Sequence, residues 1–175
     1  MSQNKGLIAE IQMETANTRK LLNIVPLDKY DWKPHPKSMS LGRLASHVAE
    51  LPGWVTTTMG ADELDFAKMD YKPAAFATNE ELIGILDKHT NEAIAALENS
   101  KEEDFEKIWT LRNGETVHFQ MPKKVVLRAF ALSHQYHHRA QLGVYLRLLD
   151  IPIPGMYGPT AVEMPARPVA EASAN

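Results

Sequence analysis

The chain has 175 residues, a net charge of −3, 44% hydrophobic residues and no cysteine. At roughly 150 residues per domain, this length predicts one domain, and such a chain can build a core without disulfides. The absence of cysteine excludes iron–sulfur clusters and thiolate metal ligands, so any metal must be held by His, Asp or Glu. The charge balance argues against a nucleic-acid partner. Without a long apolar run or an apolar leader, we expect a cytoplasmic protein with no membrane partner.

Four segments carry the 3.6-residue periodicity of amphipathic helices. The first spans about residues 5–25 and ends at Pro26, because proline cannot donate the next helical hydrogen bond. The second begins at Ser38 or Ser40, whose hydroxyl groups suit an N-cap. Its apolar spacing continues past Pro52 to about residue 58, so we predict one helix that is kinked at this proline.

The third helix spans about residues 78–100 and opens with the Thr-Asn-Glu-Glu pattern of a capping box. Alternating apolar residues over 108–119 then predict a β-hairpin, whose turn at Asn113-Gly114 requires a positive φ. Pro122 suits the first turn of the fourth helix, which is the longest and runs to about Leu149.

The proline-rich segment 151–159 has enough apolar side chain to pack back on the helices, whereas residues 165–175 are predicted to form a disordered tail. We therefore predict a single domain over residues 1–164. Its fold class is all-α, a four-helix bundle with long connections and a small β-hairpin between the third and fourth helices.

Two histidines of the fourth helix, His134 and His138, are four residues apart and therefore share a helix face. At 100° per residue, that face also carries the helix's apolar positions. These are Leu127, Phe130, Ala131, Tyr145 and Leu148. The same arithmetic places Arg128, Arg139 and Arg147 on the opposite side, where we expect surface or dimer contacts.

His47 occupies an equivalent position on the apolar face of the second helix, so three imidazoles are predicted to point into one interior. Burying an imidazole costs free energy unless its nitrogens have hydrogen-bond or metal partners, and one shared metal ion would provide a partner for all three. Imidazole nitrogens bind Zn²⁺ or Ni²⁺, and three protein ligands leave open coordination positions. The alternative is that each is a core histidine with an ordinary hydrogen bond.

The remaining candidates are less specific. Glu50 is a candidate fourth ligand, imidazole-orienting group or general base, or else a solvated carboxylate. His137 could replace His138 as the partner of His134, or could border the pocket or a subunit interface. We expect His89 to be structural. The candidates for substrate contacts are three aromatic side chains and one histidine: Trp54, Tyr145, Tyr157 and His137.

Several segments together resemble the DinB-like (YfiT-like) superfamily of metalloenzymes. They are Trp32-Lys33-Pro34 with Ser38, Leu44-Ala45-Ser46-His47, His134-Gln135-Tyr136-His137-His138-Arg139-Ala140-Gln141-Leu142 with Tyr145-Leu146-Arg147, and Ile153-Pro154-Gly155-Met156-Tyr157-Gly158-Pro159. The similarity covers most of the chain. Each piece is weak by itself, and the combination is specific.

This resemblance implies a four-helix bundle of the DinB/YfiT type with a metal held by His47, His134 and His138. It also implies nickel, zinc or iron as the metal, a small-molecule substrate and a homodimer as a common assembly. Better understood relatives are transferases or isomerases that use a low-molecular-weight thiol such as mycothiol, bacillithiol or glutathione.

Three functions therefore compete. In a metal-dependent thiol transferase, a thiol brought in from outside attacks an electrophilic substrate. A metal-dependent hydrolase would need a general base, for which Glu50 is the candidate, so Glu50→Gln should abolish it. In a non-enzymatic binding or stress-response protein, the metal would brace the helices, and its removal would cause a large loss of stability.

Overall fold

The structure, a computed structural model, describes residues 2–164. The tail predicted over 165–175 lies outside the described residues. Within them the chain is mostly helical, with a small β-sheet. The helices are α1 (Gln3–Leu22), α2 (Leu41–Glu50), α3 (Gly53–Gly60), α4 (Asn79–Glu98), α5 (Lys123–Val126) and α6 (His134–Leu148). None of the helices in this part of the chain is long and apolar enough to cross a membrane.

The helix starts follow the capping residues of the sequence. The Ser40 hydroxyl group accepts a hydrogen bond from the Arg43 N–H and caps α2, which selects Ser40 over Ser38. The Thr78 hydroxyl group does the same for the Glu81 N–H at the start of α4. The Glu81 carboxylate accepts from the N–H of Ala77, so the reciprocal bond of the capping box is made one residue earlier than expected.

The predicted kink at Pro52 is a break between α2 and α3. Leu51 and Pro52 keep right-handed helical torsions, yet the hydrogen bonds change to the i→i−3 type, with the Trp54 and Val55 N–H groups donating to the carbonyls of Leu51 and Pro52. Proline lacks an N–H and its ring displaces the preceding turn. The helix that the sequence predicts as a single element is therefore two short helices, α2 and α3.

The predicted hairpin is present as β2 (Ile108–Asn113) and β3 (Thr116–Pro122), and Gly114 has the expected positive φ of 58°. The sheet has a third strand that the sequence analysis missed, β1 (Glu63–Asp65), which pairs in parallel with β2. Pro122 ends β3 and precedes α5, so it lies just before the helix and not in its first turn.

A π-helical segment, Leu127–Ser133, joins α5 to α6. Its hydrogen bonds span one residue more than those of an α-helix, so the faces of the two flanking helices are out of phase by about one position. The buried residues of α6 are accordingly Gln135, Arg139, Leu142 and Leu146, each one position beyond the predicted face. The predicted bundle of four regular helices is therefore not confirmed, because the second and fourth predicted helices are each divided.

This phase shift overturns the expectation that Arg139 lies outside the helices. Its side chain is only 4% exposed and forms an ion pair of 2.6 Å with Glu14 of α1, which is 5% exposed. The Arg139 guanidinium also donates to the Glu14 carbonyl and bonds the Tyr157 hydroxyl group, which donates to the Glu14 carboxylate. Arg147 remains exposed, as predicted.

The apolar core lies between α1, α2, α4 and α6, with a second cluster that α1, α3 and the π-helical segment share. Large side chains that are fully buried include Leu21, Leu22, Leu44, Leu82, Leu86 and Leu142. A smaller cluster around Trp109 attaches the sheet to α3 and the π-helical segment. These clusters hold α2, α3 and α6 in place, and the candidate site lies where those three helices meet.

Candidate metal centre

The three histidines singled out from the sequence lie together. One donor atom from each of His47, His134 and His138 lies within 4.8 Å of the other two. The Nε2 atoms of His47 and His134 are 3.3 Å apart, and the three ring centroids are 4.6 to 5.1 Å from one another. All three side chains are half-buried.

The local fold explains this convergence. The buried face of α2 carries Leu44, Ala45 and Val48, which press the helix against its neighbours and leave His47 at the edge of that face. On α6 the core face begins at Gln135, so His134 and His138 lie beside it, towards α2. The histidines are therefore at the margin of the core, and not in its middle as the sequence analysis expected.

One histidine is oriented by a neighbouring amide. The side-chain oxygen of Gln141 lies 2.7 Å from Nδ1 of His138. An amide oxygen only accepts hydrogen bonds, so this contact places the proton on Nδ1 and leaves the Nε2 lone pair of His138 free. Groups that fix the tautomer of a histidine in this way are typical of metal sites.

Burial and mutual proximity keep the three rings neutral. Burial lowers the pKa of His47 to about 3, and the neighbouring His138 and His134 add to the effect. The pKa values of His134 and His138 are also lowered, mainly by burial. Since only a neutral imidazole can donate a lone pair to a metal, the cluster is prepared for a cation at neutral pH.

The donor set fits a divalent metal. Two imidazole nitrogens that bind one tetrahedral ion at 2.0–2.1 Å lie about 3.3 Å apart, which is the distance between the Nε2 atoms of His47 and His134. The cluster uses nitrogen donors alone, which suits zinc, nickel and iron better than magnesium or calcium. A three-histidine cluster of this kind could therefore bind a metal ion.

A cavity of about 380 Å³ opens beside the cluster and gives His47 and His134 access to small molecules. Its walls come from α2, α3, α4 and the segment between α3 and α4. They include Leu51, Trp54 and Leu64, and the rim is formed by the exposed side chains of Phe66, Met69 and Tyr71. The cavity is mainly apolar, with a few polar groups, as small-molecule sites usually are.

Glu50 lines this cavity but is engaged elsewhere. Its carboxylate accepts hydrogen bonds of 2.8 Å from the Tyr71 hydroxyl group and from the Ala74 N–H, and it lies 3.5 Å from the Arg43 guanidinium. Burial and the nearby Glu50 carboxylate raise the pKa of Tyr71. Among the described residues, the cluster of donor atoms contains the three histidines and not Glu50. Its visible role is to hold the segment between α3 and α4 against α2.

The other predicted contacts divide between the cavity and other surfaces. Trp54 lines the cavity, with its ring centroid 6.4 Å from that of His134. Tyr145 instead packs edge-on against Trp32, and Tyr157 caps the buried ion pair of Arg139. His137 is exposed on α6, next to His138.

Several polar residues of the cavity are not predicted from the sequence, among them the charged or titratable side chains of Arg43, His89 and Glu92. Arg43 lies four residues before His47, so helix spacing alone could have placed it on the same side. No comparable signal existed for His89 and Glu92, because only the packing of α4 against α3 brings them to the cavity.

Comparison with known proteins supports the same conclusion about the fold. A family model described as "DinB family" matches residues 1–169. The uncharacterized protein YrdA of Bacillus subtilis (strain 168) is 29% identical over 156 residues, which cover 87% of this chain and 86% of YrdA.

Two solved structures have a similar fold. A DinB-like protein from Bacillus cereus (ATCC 10987) has a TM-score of 0.66 and 22% identity, covering 87% of this chain and 97% of its own. The DinB-like protein YjoA from Bacillus subtilis has a TM-score of 0.67 and 18% identity, covering 86% and 97%. Because the family model matches residues 1–169 of its 175 residues, the chain belongs to the DinB family.

Proposed function

We propose that the protein is a divalent-metal-dependent enzyme that uses a low-molecular-weight thiol to attack a small electrophilic substrate. The observation that carries this proposal is the convergence of His47, His134 and His138 beside a cavity of about 380 Å³. A structural metal site is normally closed by four protein ligands, whereas three ligands beside a cavity leave room for a reactant.

The role of the metal would be electrostatic. A divalent cation held by the three imidazoles lowers the pKa of a nearby thiol, so that thiolate is available near neutral pH. The chain itself has no cysteine, so the thiol must be a separate molecule. Trp54, Leu51 and Leu64 line the cavity with apolar surface, against which the apolar part of a small electrophile could pack.

The contacts of Glu50 argue against a hydrolase in which this carboxylate activates water. A hydrolase would need a general base to activate water. The only carboxylate predicted for that role already accepts hydrogen bonds from Tyr71 and Ala74 and faces Arg43. A thiol that is ionised beside a metal does not require Glu50 for this purpose.

The experiment is a screen of thiol consumption with metal-reconstituted protein. Cysteine, glutathione, bacillithiol and mycothiol would each be offered with a chromogenic electrophile. We expect one thiol to react faster with the protein than without it. The acceleration should disappear with a chelator and in His47→Ala, and should persist in His35→Gln, an exposed histidine of the loop before α2. Equal rates with wild-type protein and His47→Ala would contradict the proposal.

The same samples test the alternative in which the metal only braces the helices. Because the apolar clusters lie outside the histidine site, we expect chelation to leave the protein folded with a small decrease in Tm. Unfolding on chelation would instead indicate a structural metal.

A further inference from the structure

The cavity contains a second pair of ionisable side chains, His89 and Glu92 of α4. They are one helical turn apart, and Nδ1 of His89 lies 3.7 Å from Oε2 of Glu92. The His89 side chain is 28% exposed, so it is accessible from the cavity and partly shielded from bulk water. The two side chains carry opposite charges whenever the imidazole is protonated, and opposite charges at this distance attract each other.

The imidazole of His89 lies against Gly53 of α3, where any added side chain would force the ring to shift. A Cβ atom added to Gly53 would lie 2.9 Å from Nδ1 of His89, closer than such contacts normally are. Gly53 is the first residue of α3, directly after the break at Pro52. The missing side chain therefore creates the space in which the ring sits, and the Glu92 carboxylate approaches the same ring nitrogen.

His89 keeps unused hydrogen-bonding capacity. Among residues 2–164, neither of its ring nitrogens makes a hydrogen bond, since the 3.7 Å contact with Glu92 is too long. The other ionisable groups that face the cavity are committed: Arg43, Glu50 and Tyr71 bond one another, and His47 and His134 belong to the triad. Among the described residues that line the cavity, His89 and its partner Glu92 thus remain free for a ligand, and His89 is the imidazole of the two.

We propose that His89 accepts the proton of the thiol that ionises in this cavity, with Glu92 as its positioning residue. The S–H bond breaks, its electron pair stays on sulfur, and the proton forms an N–H bond on the His89 imidazole. The Glu92 carboxylate offsets the positive charge that results. The same proton is then available for the product. This inference rests on the proposed thiol function and adds the residue that handles the proton.

The test counts the protons that leave the protein when a thiol binds. β-Mercaptoethanol would be titrated at pH 7 into zinc-reconstituted protein by calorimetry, in two buffers with different ionisation enthalpies. Thiols are mostly protonated at this pH, so binding as thiolate transfers a proton to the protein, to any hydroxide that leaves the zinc, or to the buffer. The contribution of hydroxide is the same with and without His89. We therefore expect His89→Gln to release up to about one proton more per bound thiol than wild-type protein.

Three further variants sharpen the result. Glu92→Gln keeps the side-chain shape but removes the charge, so it should release more protons than wild type and fewer than His89→Gln. Gly53→Ala should displace the ring and raise proton release in the same direction, while retaining the imidazole. The control His35→Gln should behave like wild type. All variants should keep the metal content of wild-type protein, because His89 is outside the triad.

The outcomes separate the two proposals. If wild-type protein binds the thiol but releases about as many protons as His89→Gln, the role of His89 is wrong while the thiol function stands. Loss of metal in His89→Gln would also overturn it, because His89 would then support the metal. If wild-type protein does not bind the thiol at all, the thiol function fails, and the role of His89 fails with it.

Discussion

Replacing Arg139 by methionine tests how the helices are held together. The change keeps much of the apolar volume but leaves the Glu14 carboxylate buried, with the Tyr157 hydroxyl group as its remaining side-chain donor. Both partners of the ion pair are at most 5% exposed. Removing one partner of such a pair costs about 3–5 kcal/mol, because the other charge is left uncompensated.

For a chain of this length, each kcal/mol corresponds to about 2–4 °C in Tm. We therefore expect Arg139→Met to lower the Tm by about 6–20 °C. Urea unfolding of metal-free protein would give the free energy directly and would remove any contribution from metal at the adjacent His138. The matched control is Arg147→Met on the exposed side of the same helix, which should change stability by less than about 0.5 kcal/mol.

The double variant Glu14→Leu/Arg139→Met should be more stable than Arg139→Met, because it removes the unpaired charge. The reasoning would be refuted if Arg139→Met lost no more stability than the Arg147 control. It would also be refuted if the two changes of the double variant were simply additive, since coupling between the charges is the basis of the estimate.

Three further predictions concern the site and the turn. In an NMR titration of metal-free protein, His47 should titrate far below pH 6.5, since burial lowers its pKa to about 3. The unfolded chain then binds protons that the folded chain does not, so the free energy of unfolding should fall as the pH drops below 6.5. A titration midpoint at 6.5 or above would contradict the burial argument. Gln141→Leu should weaken zinc binding by about 10- to 100-fold in a competition titration, because His138 loses the group that fixes its tautomer; unchanged affinity would show that this contact is dispensable. Gly114→Ala should destabilise the protein by about 1 kcal/mol in urea unfolding, because φ is 58° at this position. Gly84 is exposed within α4 and has open space around it, so Gly84→Ala should stabilise the protein by about 0.5–1 kcal/mol. Changes of the same sign would refute this argument.

Features that depend on local chemistry could be predicted from the sequence. Ser40 and Thr78 start their helices because their side chains replace missing backbone partners. The turn at Gly114 follows from its need for positive φ. The pairing of His134 with His138 also follows from spacing, since i, i+4 residues share a helix face even when the direction of that face is misjudged.

Features that depend on long-range contacts could not be predicted. The π-helical segment before α6 changes the phase of the helix, and nothing in its apolar pattern distinguishes this from a regular helix. This change of phase is why Arg139, which the helix spacing predicts on the outer face, is buried. Strand β1 has only three residues and exists because β2 offers it a parallel partner. The contact between His89 and Gly53 likewise requires α3 and α4 to be packed first.

The central claim is that His47, His134 and His138 hold a metal ion, and metal analysis tests it most directly. Untagged protein purified without chelator or added metal would be analysed by mass spectrometry, together with His134→Ala and the control His35→Gln. We predict about one equivalent of nickel, zinc or iron per chain in wild type and control, and a large loss in His134→Ala. Wild-type protein that contains no metal, and that takes up neither zinc nor nickel when they are offered, would contradict the account.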